Sequence, residues 1–446
     1  MNARTLAYHA LLLIQERQIH PDSLLRSMFR RFNTMDKREK ALATELVYGV
    51  LRWQGRLDWY IETLSKTPLR KIAPHVMVLL RLGLYQITFL TKIPAHAAVN
   101  ETVKIARATQ PKHIVSFVNG ILRNAARRHP DWPFPDRKSD PLTYLAVLTS
   151  HPRWFVEKMM HHFSMEEVQK ICEANNEVPG LNIRVNLLRA QPEMVAQWFR
   201  KRGAIVEQGR YLSTAMTIRN PSEDIGQTEP FIQGWIQIQD EASQLIPLMV
   251  NPLPGERLLD LCTGYGIKAT QLAEIMKNKG QILAVDSASW KLEALMENVK
   301  RLGIEIISTR TEDVRSLNPE EVGLFDRVLL DAPCTGWGTI RRNPDIKWKT
   351  HPRDPWRAGK QQYDLLDHAA NFVKPGGTLT YATCTIFSEE NEDVAQRFEE
   401  KWKWPRINPS DVIPHSEKLL EKYNLRTWPH RHGIDGFFGV TWAKPK

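Results

Sequence analysis

The stretch Leu258-Leu259-Asp260-Leu261-Cys262-Thr263-Gly264-Tyr265-Gly266-Ile267-Lys268 decides the fold of the larger part of this chain. A short apolar run ends in an acid, a turn with two glycines follows, and a helical pattern begins at Lys268. Such a strand-to-helix turn brings backbone N–H groups close to a ligand. Alone the pattern is weak, because many strand-to-helix turns contain glycine. The residues downstream strengthen it. Apolar runs recur at Ile282–Val285, Ile306–Ser308, Val328–Leu330 and Leu379–Tyr381, and helical patterns at Lys268–Met276, Trp290–Arg301 and Gln361–Val373 separate some of them. This alternation predicts an open, mostly parallel α/β sheet with ligand sites at the carboxyl ends of its strands.

Three of these strand ends carry acids: Asp260, Asp286 after Leu283-Ala284-Val285, and Asp313 past the third run. A carboxylate in the second position accepts hydrogen bonds from ribose hydroxyls in such folds, and Asp313 is placed to contact an adenine edge. Each acid by itself reads as a helix N-cap. Three at successive strand ends point to an adenosine-type ligand.

Two later strands end in cysteines. Phe325–Leu330 runs into Asp331-Ala332-Pro333-Cys334-Thr335-Gly336, and Leu379-Thr380-Tyr381 into Ala382-Thr383-Cys384-Thr385. In a parallel sheet two such ends converge on one cleft. The common fate of a cytoplasmic cysteine is that of a small buried hydrophobe. Placement directly after a strand, beside Asp331 and hydroxyls, marks Cys334 and Cys384 as reactive thiols, whereas Cys172 and Cys262 read as structural. No two of the four cysteines form a CxxC pair, so neither a disulfide framework nor a zinc site fits, and a reducing cytoplasm is expected.

The rest of the chain differs in character. Its 446 residues suggest about three domains at roughly 150 residues each. Charged residues make up 25% and apolar ones 42%, as in a globular protein. No window approaches ~18 uninterrupted apolar residues, so no membrane span is expected. Ala10–Ile14 is cut short by Glu16 and Arg17 and reads as an amphipathic helix, not a signal peptide. Of the net +11, residues 1–130 carry 21 Lys+Arg against 8 Asp+Glu, and the remainder 40 against 42. The whole excess therefore sits in the first third, which reads as a helical, polyanion-binding module. Asp36-Lys37-Arg38-Glu39 resembles a capping box, and helical spacing continues through Leu42–Leu51, Val76–Ile87, Val99–Ala106 and Ile114–Ala126. Arg26, Arg30, Arg31, Lys37, Arg38, Arg52, Arg56, Arg81, Arg123, Arg127 and Arg128 punctuate these helices as nucleic-acid-facing candidates. A Pro-rich linker, His129–Asp136, comes next. Beyond it, a helix at His151–Glu177 and a β-α-β-β run from Leu181 to Arg219 suggest a small α+β domain. No apolar surface stripe is readable, so a monomer is expected.

The motifs resemble a known family. Asp331-Ala332-Pro333-Cys334 and Thr383-Cys384, with Asp260-Leu261-Cys262 ahead of the glycine loop, look like the two-cysteine RNA 5-methylcytosine methyltransferases that use S-adenosyl-L-methionine. Ile340-Arg341-Arg342-Asn343-Pro344-Asp345-Ile346-Lys347-Trp348 and Asp435-Gly436-Phe437-Phe438 match that family too. Glu45-Leu46-Val47-Tyr48-Gly49-Val50-Leu51-Arg52 and Val118-Asn119-Gly120-Ile121-Leu122-Arg123 resemble the helical NusB RNA-binding domain. The combination is similar to the RsmB (Fmu, Sun) type of 16S ribosomal RNA methyltransferase over nearly the whole chain.

The resemblance implies a Rossmann-like class I methyltransferase domain at 229–446, preceded by an all-α NusB-like bundle at 1–135 and a small ferredoxin- or RRM-like α+β domain at 140–228. It implies methylation of C5 of a cytosine in 16S ribosomal RNA, free or in a small-subunit assembly intermediate. Cys384 would be the nucleophile that adds to C6, Asp331 would bond the ring near N3, and Cys334 would assist release. The cofactor would be held by Cys262, Thr263, Gly264, Tyr265, Gly266, Ile267 and Lys268, with Asp286, Asp313 and Asp331; Lys268 would also steady Asp331. No metal is implied. The loop departs from the family's Cys-Ala-Ala-Pro-Gly-Gly-Lys, with Tyr265 for proline and Ile267 for glycine, a costly exchange if that glycine needs φ > 0. Thr335 and Thr385 stand where serines are usual. Two alternatives remain: an RNA-binding assembly factor impaired through Tyr265 and Ile267, against which the two retained thiols argue, or a methyltransferase of another RNA such as transfer RNA.

Overall fold

A computed structural model describes residues 1–446. The chain forms two compact units: Met1–Asn176 with Asn343–Pro352, and Glu177–Arg342 with Arg353–Lys446.

The second unit holds two sheets. The smaller is antiparallel and contains β1 (Leu181–Val185), β2 (Ile205–Gln208), β3 (Ala215–Arg219) and β4 (Ile236–Ile238) in the order β2-β3-β1-β4. The helix Pro192–Arg200 lies between β1 and β2 in sequence, and its buried Val195, Ala196 and Phe199 share an apolar core with Ile183, Val185, Met216 and Ile218. The larger sheet holds β5 (Arg257–Leu261), β6 (Gln281–Asp286), β7 (Ile307–Thr311), β8 (Phe325–Asp331), β9 (Val373–Thr383), β10 (Leu420–Glu421), β11 (Asn424–Arg426) and β12 (Phe438–Ala443) in the order β10-β11-β12-β9-β8-β5-β6-β7. Strands β5 to β9 pair in parallel, as the alternation of strands and helices implies. The three C-terminal strands extend the sheet antiparallel from β9, so it is mixed. Its central strands are covered on both faces: Leu258 and Leu329 enter one core, Leu259, Leu261, Val328 and Leu330 the other. That two-sided burial explains why these strands read as continuous apolar runs.

The observed elements differ from the expected ones in three places. Strand β4 completes the small sheet against β1 although it lies beyond the expected limit at 228, because a three-residue Ile-Gln-Ile strand is too short to be read from alternation. The expected helix 151–177 is two helices, Arg153–Met160 and Met165–Asn176, and a further helix, Pro141–Thr149, precedes them. All three cluster with the helical unit, with Pro141–Thr149 packed on the long helix Lys37–Leu64.

In the helical unit, Asp36 caps Lys37–Leu64 by accepting from Glu39 N at 2.8 Å, but the Glu39 carboxylate turns to the backbone N–H of Ala3 rather than closing the box. The helices Pro74–Phe89, Ala95–Thr109 and Lys112–Arg128 follow within one apolar core. Not every expected surface cation is on the surface. Arg52 is buried, Arg81 makes a two-pronged pair with Asp58 at 2.7 and 2.8 Å, and Arg56 lies among the rings of Trp53, Tyr60 and Phe134. Arg26, Arg30, Arg31, Lys37, Arg38, Arg123, Arg127 and Arg128 are exposed.

The segment Asn343–Pro352 joins this unit through Lys347, whose side chain is buried. Its ammonium donates to Arg52 O at 2.7 Å, Ser150 O at 2.8 Å and Asn176 Oδ1 at 3.0 Å, and Trp348 Nε1 donates to Leu51 O at 2.6 Å. Three acceptors match the three N–H groups of an ammonium while burial pushes its pKa well down. Lys347→Met keeps the buried length and removes the donors, so it should destabilise the helical unit by about 2–4 kcal/mol. Chemical denaturation followed by circular dichroism measures this, and an unchanged midpoint would refute the role.

Candidate active site

A cleft of about 570 Å³ opens at the carboxyl ends of the parallel strands. Each strand delivers a side chain to it: Cys262 after β5, Asp286 at the end of β6, Asp313 after β7, Asp331 at the end of β8 and Cys384 after β9. Ser287, Lys291 and Phe437 complete much of the wall. The position follows from sheet topology, since strand order reverses beside β5 and leaves a crevice there.

The glycine loop beside the cleft is shaped by its backbone. Gly264 and Gly266 take φ of 58° and 68°, the left-handed region that costs glycine nothing. A Cβ at Gly266 would stand 2.0 Å from Leu295 Cδ1, so this position is closed to larger residues by packing as well. Gly264 N donates to Asp286 Oδ2 at 2.9 Å, and Ala288 N to Asp286 Oδ1 at 2.9 Å. Oδ1 also accepts from Lys291 Nζ at 3.5 Å, while Oδ2 keeps a lone pair for a ribose hydroxyl, so the carboxylate fits the ligand read from the sequence. Asp260 lies behind the loop, accepting from Thr263 Oγ1; burial raises its pKa to about 7. Asp313 accepts from Arg315 N and its guanidinium, which hold its pKa down to about 2; it caps a short 3-10 turn as well as lining the cleft.

The two cysteines meet. β8 and β9 are adjacent and in register from Asp331 opposite Ala382, and the chain beyond brings Cys334 Sγ to 3.2 Å from Cys384 Sγ. The residues after each cysteine also meet: Thr335 Oγ1 lies 3.1 Å from Thr385 Oγ1, and both hydroxyls donate to the buried carboxylate of Glu390. Lys268 Nζ donates to Asp331 Oδ2 at 2.6 Å and sits 5.3 Å from the centre of the Phe437 ring. Burial opposes the Lys268 charge, but Asp331 outweighs it and raises the pKa; the ammonium also interacts with Cys384. On the other sulfur, contact with Cys384, burial and the Glu390 carboxylate push the Cys334 thiol well up. The Lys268 charge thus acts on Cys384 and the Glu390 carboxylate on Cys334.

The C-terminal motif closes the site from behind. Asp435 accepts from Arg341 Nε at 2.5 Å and Arg342 Nε at 2.8 Å, and Arg342 also reaches Asp240 at 2.7 Å. These pairs are buried or nearly so. They bring Gly436 N to Gly338 O at 2.8 Å, while Gly338 N donates to Cys384 O at 2.9 Å. A Cβ on Gly338 would stand 1.8 Å from Gly436 O, so only glycine allows the two backbones to touch.

Of the residues singled out in the sequence, Cys262, Lys268, Asp286, Asp313, Asp331, Cys334 and Cys384 line the cleft. Thr263 turns to Asp260, Tyr265 is exposed and packs edge-on against Trp290, and Ile267 opens the helix Ile267–Ile275; none of these three, nor Gly264 or Gly266, lines the cleft. The left-handed positions fall on Cys262, Gly264 and Gly266, so Ile267 carries no backbone strain. Glu390 was not legible, because Glu389, Glu390 and Glu392 crowd one stretch and nothing in the pattern says which is buried. Asp240 and Arg342 were missed as partners because a pairing across 102 residues leaves no local trace.

Comparison with known proteins places the chain in a family. Residues 247–442 match the family described as 16S rRNA methyltransferase RsmB/F, residues 1–127 the NusB family, and residues 151–223 the ferredoxin-like domain of RsmF/B-like methyltransferases. The chain is 36% identical to the "Probable ribosomal RNA small subunit methyltransferase B" of Bacillus subtilis, over 98% of this chain and 97% of that one. It is 33% identical to the "Ribosomal RNA small subunit methyltransferase B" of Escherichia coli, over 87% and 88%. Among solved structures, the crystal structure of PH0851 superposes with a TM-score of 0.81 at 27% identity, covering 100% of this chain and 99% of that one. On full-length similarity of this degree, the chain belongs to the RsmB/F family of 16S rRNA methyltransferases.

Proposed function

We propose that this protein transfers a methyl group from S-adenosyl-L-methionine to C5 of a cytosine in 16S ribosomal RNA, with Cys384 as the nucleophile. The observation that carries the reading is the sulfur pair, 3.2 Å apart in a cleft that Asp331, Lys268 and Asp286 also line. The cofactor supplies an electrophilic methyl group when bound. Asp286, Asp313 and the backbone of the Gly264–Gly266 turn are the groups that suit its ribose and adenine. C5 of cytosine is too weak a nucleophile to take a methyl group unaided. Addition of the Cys384 thiolate to C6 forms an S–C6 bond and moves the ring's π electrons onto C5. The charge this pushes through C5 onto N3 is taken up by a proton from water, and Asp331, held by Lys268, accepts a hydrogen bond from the resulting N3–H. Once C5 carries the methyl group, its hydrogen leaves as a proton to water, N3 gives its proton back, and the S–C6 electrons return to Cys384. Cys334, kept as a thiol by its surroundings, donates a hydrogen bond to the departing sulfur.

The target base must leave its stack to enter the cleft. The exposed cations of the helical unit support binding of the flanking RNA through its phosphates. Four free cysteines suit a reducing cytoplasm, and no helix is long and apolar enough to cross a membrane. Since neither Tyr265 nor Ile267 intrudes on the cleft, nothing in the loop favours an inactive assembly factor.

Incubation with labelled S-adenosyl-L-methionine and unmodified 16S ribosomal RNA should place label in 5-methylcytosine on nucleoside analysis; label in any other nucleoside, or none with RNA bound, overturns the reading. Cys384→Ala should lower transfer at least about a thousandfold, as loss of a nucleophile does, with RNA affinity within a few-fold. Cys334→Ala should trap a protein–RNA adduct that survives a denaturing gel, and its absence from a variant that binds both substrates would remove Cys334 from the release step.

A further inference from the structure

We propose that Glu390 is the positioning residue of the sulfur pair: one buried carboxylate clamps the loops that follow β8 and β9 and so sets the separation of Cys334 and Cys384. The inference rests on the two-thiol reading above. Glu390 is fully buried, and its partners are all uncharged. Four donors converge on it. From the first loop come the N–H and the hydroxyl of Thr335, the former at 2.9 Å; from the second comes the hydroxyl of Thr385, at 3.0 Å; from the helix Asp354–Ala369 comes Gln362 Nε2, at 3.0 Å. Thr335 and Thr385 each follow a cysteine directly, so fixing their hydroxyls on one oxygen, Oε1, fixes the two sulfurs one residue away.

The surroundings anchor the clamp. Gln362 Nε2 also donates to Pro333 O at 2.8 Å, and Tyr381 donates to Glu390 O at 2.5 Å. Asn391 accepts from Thr383 and donates to Thr385 O at 3.0 Å, holding the second cysteine's strand from the far side. A buried carboxylate without a cation is costly, and here uncharged donors alone offset it. Only a carboxylate offers acceptors on both oxygens. An amide in its place would set its own N–H groups against those of Thr335 and Gln362.

The experiment compares the wild type with Glu390→Gln, Thr385→Val and Thr385→Ser in the full chain. One readout is closure of a Cys334–Cys384 disulfide by diamide, followed by mass spectrometry of alkylated peptides. The two thiols give up two protons and two electrons, and diamide becomes the hydrazine. The other readout separates kcat from KM for methyl transfer. Glu390→Gln and Thr385→Val should slow disulfide closure about tenfold and lower kcat about 10–100-fold, as a misplacement near 1 Å does, with KM for RNA and the affinity for S-adenosylhomocysteine within about twofold. Thr385→Ser, which keeps the hydroxyl, should match the wild type on both. Closure at the wild-type rate in Glu390→Gln, or in Thr385→Val should Glu390→Gln fail to fold, overturns the clamp. So does a Thr385→Ser variant as impaired as Thr385→Val. Disulfide closure needs no methyl transfer, so it stands or falls separately from the reading of the reaction, which Cys384→Ala tests.

Discussion

The site depends on one constraint, the adjacency of β8 and β9 in a parallel sheet. Parallel neighbours end at the same edge, so loops leaving them start side by side whatever the sequence distance between them. Here 50 residues separate Cys334 from Cys384, yet the register of Asp331 with Ala382 brings their sulfurs within 3.2 Å. The same edge receives Asp286 and Asp313 from β6 and β7. The acids and the thiol pair thus line one cleft because all five strands point the same way.

Electrostatics then gives the two sulfurs different surroundings. Lys268 reaches the cleft from the first turn of the helix after the glycine loop and pairs with Asp331, leaving cationic character near Cys384. Glu390 stands behind Cys334. The buried network of Arg341, Arg342, Asp240 and Asp435 supports the same sulfurs from the backbone side. It holds the Gly338 and Gly436 backbones in contact behind Cys384, and the bonds from Arg342 to Asn182 and Asp240 tie the small sheet to the same spot.

Much of this was readable along the chain. The central strands and their helices are legible because burial on both faces writes continuous apolar runs bounded by turn residues. The acids and cysteines stand out because they sit directly after those runs. Boundaries were less legible. Pro141–Asn176 carries the helical pattern of any small domain, and only its packing on Lys37–Leu64 assigns it to the first unit. Strand β4 is three residues long and exists because β1 offers an unpaired edge. Among the cations, Arg30 and Arg81 look alike in sequence; one is exposed and the other meets Asp58 across two helices.

The sequence by itself determined the strand-helix alternation, the acids and thiols at strand ends, and the concentration of positive charge in the first third, since each follows from local pattern or composition. Tertiary structure alone decided which of three neighbouring glutamates is buried behind the thiols, why Ile267 is free of strain while Gly264 and Gly266 take the left-handed positions, and how Lys347 finds three oxygens from Arg52, Ser150 and Asn176. Burial and long-range hydrogen bonding depend on which surfaces meet, and that is a property of the folded chain, not of any window along it.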